Sequence, residues 1–289
     1  MQAYFPPKGL IVELINLEEK VFSEHLKNIK KTADAVMLLS PEAGDGLDLT
    51  IEQKKNLISK CAEVINGELP LMIFITADTE EETVENMLEF ESLLKKIPYK
   101  GEVFWVDAPL YYHSNRGLPD MYSRFFSITS YPFILYNNAK IVEKVKGPFN
   151  RKNIRTSILK ELSFEERIKG LIFFGDLRRA LNYQKAVMER PSFRIYDGDE
   201  ILFLNFPNKN GLVSVSANII PEIWKNILNR GVNKGKESGL YLLLEFLDLI
   251  KKSGIDLIKA LIKRSHITSE PLLVEEAKEL ISKLQEEGI

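Results

Sequence analysis

Two groups of polar residues in this chain of 289 residues could take part in chemistry, and each group follows a short apolar segment. Tyr136-Asn137 ends one segment, with Lys140 three positions later, and Glu42 and Asp45 lie in a loop after another. A tyrosine hydroxyl and a carboxylate can transfer protons, and an amine can act as a nucleophile or bind an anion. The same residues are also typical of a packed aromatic side chain and of charges on a solvated loop. Both interpretations stay open at this level.

Metal and disulfide chemistry have little support in the sequence. His25, His113 and His266 lie far apart, and Cys61 is the only cysteine, so no intrachain disulfide can form. Cys61 falls on the helix that we predict after Thr50, where a buried structural thiol is the expected role. We therefore predict neither a metal nor another cofactor.

Composition and charge favour a cytoplasmic globular protein whose ligand is a small molecule. The chain is 45% hydrophobic and 28% charged, with a formal net charge of -2. Lys and Arg are spread along the chain, so no basic patch indicates a nucleic-acid partner. The N-terminal residues lack the pattern of a signal peptide, and no apolar run is long enough to span a membrane.

Short apolar segments alternate with amphipathic segments over the first 230 residues, which predicts a (β/α)8 barrel. An open doubly wound sheet is the alternative, but no phosphate-binding glycine motif follows the first strand. Thr50-x-x-Gln53 and Ser163-x-x-Glu166 match capping boxes, and Asp78 precedes the acidic first turn of another helix. The eight predicted strands are Gly9–Leu14, Ala35–Leu39, Leu71–Thr76, Val103–Asp107, Pro132–Tyr136, Gly170–Phe174, Phe193–Tyr196 and Gly211–Val215.

Residues 231–289 contain no strand pattern and predict a three-helix extension packed on the barrel. A turn is expected at Gly231–Lys236. The helices are predicted at Gly239–Lys252, Ile255–Ser265 and Leu273–Glu286, where apolar residues recur at three and four positions.

Several motifs resemble one family of barrel enzymes. Gly211–Glu222 resembles the last barrel strand and following helix of the dihydrodipicolinate synthase / N-acetylneuraminate lyase family. Tyr136-Asn137 is similar to its Tyr-Asn motif, Asp197–Asp199 to its Ser-Gly-Asp turn and Tyr111-Tyr112 to its paired tyrosines, while Leu257–Leu273 is similar to its C-terminal helices. Each motif is short, but their order and spacing agree over essentially the whole chain, which is identified as a member on this basis.

The resemblance implies a pyruvate-dependent class I aldolase or lyase, often tetrameric, with its site at the C-terminal mouth of the barrel. The family's lysine on the sixth strand, which forms a Schiff base with the substrate, falls on Ile172, which has no amine. The proton-relay tyrosine falls on Tyr136 and is retained. Tyr111 and Tyr112 either reach a neighbouring subunit's site, with Tyr112 catalytic there, or fill an interface of a homodimer or homotetramer.

The family's Gly-Thr-Thr-Gly-Glu loop, which holds the substrate carboxylate, falls on Pro41–Asp45. The loop keeps Gly44 but neither threonine, and an ionised Glu42 would repel a keto-acid carboxylate. The candidate substrate-binding residues are Ala43, Gly44, Asp45, Asn137 and Lys140.

Two further sequence features concern a replacement amine and the size of the mouth. Lys169 lies three residues before Ile172, so we expect it on the opposite face and near the strand's start. Lys140 could reach the mouth from its loop and supply a positive charge or an amine. Phe173 and Phe174 occupy positions that would be polar near the usual site, which predicts a smaller, more apolar mouth.

Three functions remain possible. The first is a diverged family member without Schiff-base catalysis that binds a small polar metabolite at the mouth through Tyr136, Glu42 and Tyr112. The second is a working lyase that uses Lys140 or acid–base chemistry by Glu42 and Tyr136. The third is a regulatory or structural subunit of an active relative.

Overall fold

Eight parallel strands close a barrel in which each strand pairs with the next and the eighth pairs with the first. The computed structural model describes residues 6–97, 99–146, 151–231, 237–263 and 271–288. The closed barrel confirms the predicted (β/α)8 fold and excludes the open sheet. The strands are β1 (Gly9–Glu13), β2 (Ala35–Leu38), β3 (Leu71–Phe74), β4 (Val103–Asp107), β5 (Phe133–Asn138), β6 (Ile168–Phe174), β7 (Arg194–Asp197) and β8 (Gly211–Ser214).

Helices cover the outside of the barrel. All eight predicted strands are present, and their ends differ from the predicted ends by at most two residues. Nearly every strand residue is buried, as expected for parallel strands that pack on both faces. The helices are α1 (Glu19–Ile29), α2 (Ile51–Ile65), α3 (Glu80–Lys96), α4 (Pro109–Tyr112), α5 (Leu118–Ile128), α6 (Ala139–Val145), α7 (Thr156–Phe164), α8 (Leu177–Ala186), α9 (Glu200–Asn205), α10 (Pro221–Arg230), α11 (Glu237–Ser253), α12 (Ile255–Lys263) and α13 (Pro271–Glu287).

Strand register determines which side chains face the barrel axis. Tyr136 of β5 pairs with Ile172 of β6, which pairs with Tyr196 of β7. Because alternate residues of a strand point to opposite faces, Phe174 lies on the same inward face as Ile172. Phe173 points outward, where its ring packs edge-on against Tyr183 of α8 with centroids 5.1 Å apart.

One of the two predicted capping boxes is correct. The hydroxyl of Thr50 accepts from the backbone of Gln53, and the side chain of Gln53 accepts from the backbone of Thr50. The box predicted at Ser163 is wrong, because Ser163 lies in the last turn of α7 and donates to the carbonyl of Lys160. The next strand begins at Ile168, which leaves no room for a helix there.

The helix predicted after Asp78 is present, and Thr79 caps it. The hydroxyl of Thr79 accepts from the backbone of Glu82 and caps α3. The acidic first turn expected after Asp78 is present, with Glu80, Glu81 and Glu82 at the start of this helix.

The C-terminal helices α11 and α12 pack on the barrel at its mouth, and α13 packs on these two helices. Lys259 of α12 lies 3.3 Å from the carboxylate of Asp45, which also accepts from Asn16, and Lys263 pairs with Glu18 at 2.7 Å. The helices α11 and α9 are in contact, as are α12 and α1. The extension is therefore attached to the loops that follow β1 and β2.

The described part of the extension is entirely helical, as predicted. Residues 232–236 of the predicted turn, and Arg264 and Ser265 at the predicted end of the second helix, lie outside the described residues. No helix within the described ranges is long and apolar enough to cross a membrane.

Candidate ligand site at the barrel mouth

A cavity of about 410 Å³ lies between the C-terminal ends of the strands and the helices α11 and α12. One wall carries the carboxyl groups of the barrel loops, and the other is mostly apolar. Its charged lining residues are Glu13, Glu42, Lys140, Asp199, Glu200 and Lys251, and its apolar ones are Ala43, Phe174, Ile201, Val215, Ile250, Ile255 and Ile258. Active sites of such barrels lie at this end, so we take this mouth cavity as the candidate site.

A second cavity, of about 790 Å³, lies between α2 and α3. It contains Lys54, which is only 8% exposed, together with Asp78 and several glutamates of α3. Its walls are mainly helix side chains, and Thr76 is the residue nearest a strand end. The mouth cavity is smaller but lies over the ends of several strands, which is why we prefer it.

The structure brings three of the predicted site residues together. Glu42, Ala43 and Lys140 all line the mouth cavity. Glu42 and Lys140 are exposed to solvent, whereas Ala43 is buried. A carboxylate from the loop after β2 and an amine from the start of α6 therefore share one cavity.

Gly44 and Asp45 do not line this cavity. The amide of Gly44 donates to the carbonyl and hydroxyl oxygens of Ser40, at 3.2 and 3.1 Å. Asp45 is engaged by Asn16 and Lys259, as described above. In this structure both residues shape the loop after β2 and hold the extension against it.

Asn137 also has a role inside the fold. Its side-chain amide donates to the side-chain oxygen of Asn153 at 2.8 Å, and its own oxygen accepts from the backbone of Ile154 at 2.9 Å. These two bonds fasten the segment before α7 to the end of β5. Both polar atoms of the Asn137 side chain therefore already take part in bonds within the fold.

Tyr112 lies in a cluster of hydroxyl groups around the buried carboxylate of Asp107. That carboxylate accepts from Tyr112 at 2.9 Å, and from Tyr122 and Thr76 at 2.7 Å each. Burial raises the pKa of Tyr112 well above its ordinary value, and it raises the pKa of Asp107 as well. Tyr112 is absent from the lining of the mouth cavity.

Tyr111 and Tyr112, which the resemblance places at a subunit interface, make contacts within their own chain. Tyr111 is 9% exposed, and its hydroxyl donates to Asp78 at 3.3 Å. Tyr112 is half-buried and bonded to Asp107. Both rings are largely covered by their own chain, which removes one reason to expect a subunit interface at these residues.

Tyr136 lies beneath the mouth cavity and not on its lining. It is 2% exposed, and its ring contacts Phe74 and Phe174 with centroid distances of 5.5 and 5.1 Å. Burial raises the pKa of its hydroxyl well above the ordinary value, and the negative charges of Glu13 and Glu42 add to this increase. The side-chain amide of Asn138 interacts with this hydroxyl and lowers its pKa in part.

Ile172 is fully buried between Tyr136 and Tyr196. Among the residues of the eight strands, all of which the structure describes, only Lys169 and Arg194 are positively charged. Burial lowers the pKa of Lys169, and its charged neighbours Arg190, Glu166 and Glu102 all precede strands. Lys169 is therefore at the N-terminal end of the barrel, as its position in β6 predicts.

Only one of the two phenylalanines predicted at the mouth is there. Phe174 lines the cavity, whereas Phe173 points away from it and packs against α8. The sequence pattern did not distinguish them, because consecutive strand residues differ in direction and not in type. A Cβ atom at Gly198 would lie 2.4 Å from the ring of Phe174, so the glycine leaves the space that this ring occupies.

Glu13 is the main site residue that the sequence reasoning missed. It is 5% exposed at the end of β1, and its pKa is raised to about 7. Burial is the largest cause of this increase in pKa, and the charges of Glu42 and Glu200 add to it. A hydrogen bond from Ser40 lowers the pKa in part. A carboxylate that ends an apolar strand is a signal that could have identified it. A group with a pKa near 7 in a cavity can exchange protons at neutral pH.

Glu200 is the second carboxylate that the sequence reasoning missed. One of its oxygens accepts from the hydroxyl of Ser214 and from both the amide and the hydroxyl of Ser216. Burial raises the pKa of Glu200, while these hydrogen bonds lower it. Ser214 at the end of β8 and Ser216 thus fix the position of this carboxyl group at the edge of the cavity.

Replacing Glu13 by Gln should change how stability depends on pH. With a pKa raised from 4.5 to about 7, the folded state holds this proton more tightly than the unfolded state. The free energy of unfolding should therefore fall as pH rises from about 4.5 to 7, by up to ~3 kcal/mol, and Glu13→Gln should remove that loss. Urea denaturation at pH 5 and pH 8 measures it.

The expected result is a Glu13→Gln variant more stable than the wild type at pH 8, with a smaller difference at pH 5. Asp197, whose pKa burial also raises to about 7, contributes a similar slope to both proteins. Glu24→Gln, on an exposed position of α1, is the matched control and should follow the wild type. If the free energy of unfolding depended on pH in the same way in Glu13→Gln and the wild type, the raised pKa of Glu13 would be contradicted.

Comparison with known proteins agrees with the fold. The 4-hydroxy-tetrahydrodipicolinate synthase of Rickettsia typhi is 27% identical over 255 residues, which cover 84% of this chain and 81% of that protein. The structure of Clostridium difficile CdNal in complex with mannosamine superposes with a TM-score of 0.75 at 17% identity, over 96% of this chain and 99% of the other. A monomeric dihydrodipicolinate synthase variant gives 0.74 at 15% identity, over 97% and 96%.

The family model provides the assignment. Residues 16–273 match the model of the dihydrodipicolinate synthetase family, a span that includes all but the first of the barrel strands and reaches the start of α13. With the closed barrel and the resemblance of the individual motifs, this match establishes that the chain belongs to the dihydrodipicolinate synthetase family.

Proposed function

We propose that this protein binds a small polar ligand in the mouth cavity and does not carry out Schiff-base aldol chemistry. The observation that carries the proposal is Ile172, a fully buried side chain at the position to which the family resemblance assigns the lysine. A Schiff base needs a primary amine at the reacting carbon. The strand residues supply none at the mouth, because Lys169 lies at the other end of the barrel.

The charge of the cavity supports the same proposal. Glu13, Glu42 and Glu200 lie along the wall where a keto acid would enter. A substrate carboxylate placed beside them would be repelled, and the Thr pair that would bind it is absent from Pro41–Asp45. The cavity volume of about 410 Å³ is suitable for a small metabolite.

A working lyase is the second candidate function. Lys140 lines the cavity together with Glu42, so an amine and a carboxylate are both available there. The relatives named as 4-hydroxy-tetrahydrodipicolinate synthases give this alternative weight. Acid–base chemistry by Glu42 and Tyr136 is less well supported, because Tyr136 is covered by Phe174; Glu13 is the better partner for Glu42.

Incubation with pyruvate and borohydride distinguishes these two functions. We expect no covalent adduct by mass spectrometry and aldol cleavage at background, since proton transfer alone contributes only ~10²–10⁴-fold. Ile172→Lys should not restore full activity, because the carboxylates of the cavity would still oppose the substrate. An adduct on Lys140 that disappears in Lys140→Arg, which keeps the charge, would instead establish the lyase.

A thermal-shift screen of small polar metabolites tests ligand binding directly. At a concentration near 100 times its Kd, a ligand stabilises the folded state by about 2.7 kcal/mol and should raise the Tm by several degrees. Ile255→Trp places a large ring in the cavity wall and should abolish the shift. Leu272→Trp, at an 84% exposed position, is the matched control. A shift that survives Ile255→Trp would mean that the ligand binds elsewhere.

We also propose that the protein is a cytoplasmic homodimer or homotetramer, because of its composition and the family resemblance. It could then serve as a regulatory or structural subunit of an active relative, the third candidate function. Light scattering at micromolar concentration should give at least a dimer. A stable monomer, the state of one structurally similar synthase variant, would contradict the proposal.

A further inference from the structure

Lys54 lies on the buried face of α2, which is an unusual place for a lysine. Its side chain is 8% exposed, and Ile58, Cys61 and Ala62 follow it on the same face of the helix. Lysine side chains are almost never buried to this extent unless they are paired. Lys54 lines the cavity of about 790 Å³ between α2 and α3, so small molecules can reach its amine through that cavity.

The amine of Lys54 has neither a hydrogen-bond partner nor an ion-pair partner among the residues that the structure describes. Such a buried polar group needs an explanation, because most are hydrogen-bonded. Desolvation lowers the pKa of Lys54, and the charges of Asp78, Glu82 and Asp48 offset only part of this decrease. A larger share of Lys54 is therefore the free amine at neutral pH, and the free amine is the nucleophilic form.

The neighbouring Lys55 shows the opposite behaviour in the same cavity. It also lines the cavity, and its amine lies 3.1 Å from a carboxylate oxygen of Glu52 and 3.1 Å from one of Glu89. Hydrogen bonds to these two carboxylates raise the pKa of Lys55. Two consecutive lysines of one helix thus differ in burial, in partners and in the direction of the pKa shift.

The other walls of the cavity determine which electrophile can reach Lys54. Leu47, Leu49 and Ile51 form an apolar surface beside the start of α2. The acidic residues of the lining are Glu52, Asp78, Glu82, Glu85 and Glu89. These carboxylates repel an anionic compound, whereas a neutral carbonyl compound with a short alkyl chain is compatible with both surfaces.

We propose that Lys54 is a covalent modification site that binds small neutral aldehydes as an imine. The amine nitrogen attacks the carbonyl carbon, and a proton moves from the nitrogen to the carbonyl oxygen. The resulting carbinolamine loses water as the C=N bond forms, so the step needs no oxidant or reductant and is reversed by hydrolysis. The protonated imine keeps the positive charge that the surrounding carboxylates stabilise.

This site is independent of the ligand proposed for the barrel mouth. The two cavities share no lining residue. Pyruvate carries a carboxylate, so the acidic wall around Lys54 excludes it, and the absence of an adduct with pyruvate and borohydride is still the expected result.

Reductive trapping with butanal and cyanoborohydride at pH 7, read out by tandem mass spectrometry of peptides, tests the site in the wild-type protein. The butyl group should appear on Lys54 about tenfold or more faster than on Lys55, because each unit of difference in pKa changes the share of free amine tenfold. Lys95, whose side chain is 69% exposed, represents an ordinary surface lysine and should also react more slowly than Lys54.

A matched probe and two variants complete the experiment. Glyoxylate is an aldehyde that carries a carboxylate, and with it the ratio of labelling at Lys54 to labelling at Lys95 should fall about tenfold relative to butanal. Lys54→Arg keeps the charge but removes the nucleophile, so it should abolish labelling at this position. Lys55→Arg is the matched control and should leave the labelling of Lys54 unchanged.

Three results would overturn the proposal. These are labelling of Lys54 by butanal no faster than labelling of Lys95, equal labelling of Lys54 and Lys55, and a Lys54 to Lys95 ratio with glyoxylate as high as with butanal. All three are measured in the wild type, so they do not depend on whether a variant folds. If no metabolite shifts the Tm while Lys54 is labelled as expected, the proposed function fails and the modification site stands.

Discussion

The register between β5, β6 and β7 is the constraint on which the interior of this barrel depends. It places Tyr136, Ile172 and Tyr196 side by side on the inward face. A slip of one residue in β6 would turn Ile172 outward and bring Phe173 to the axis, since strand side chains alternate. The inward position of Ile172 and the cover over Tyr136 both follow from this one register.

Burying the carboxyl groups of Glu13 and Glu200 at the mouth costs free energy of folding. Glu13 is buried close enough to Glu42 and Glu200 for their charges to raise its pKa, and burial raises it further. Hydrogen bonds from the serines after β8 offset part of the cost at Glu200. Lys259 of α12 pairs with Asp45 and holds the extension against the loop after β2. The mouth thus combines an acidic wall of loops with an apolar wall of helices.

Family membership and catalytic activity are separate questions for this protein. The barrel, the C-terminal helices and the order of the motifs agree with the dihydrodipicolinate synthetase family, and structures below 25% identity share the same fold. Membership of the family does not by itself determine which reaction the protein catalyses. One fold supports many functions, and the residues of the site decide among them. Two family-like positions, Asn137 and Tyr112, have their polar atoms bonded within the fold.

The sequence by itself determined the barrel, because apolar strands and amphipathic helices alternate with the periods that each structure requires. It also located the helical extension and the cap at Thr50. The sequence could not determine in which direction each strand side chain points, or which residues far apart in the chain lie close together. Whether Phe173 or Phe174 faces the axis depends on register across strands, which no local pattern encodes. Glu13 and Glu200 come from opposite ends of the barrel sequence, and only the closure of β8 onto β1 brings them to one cavity.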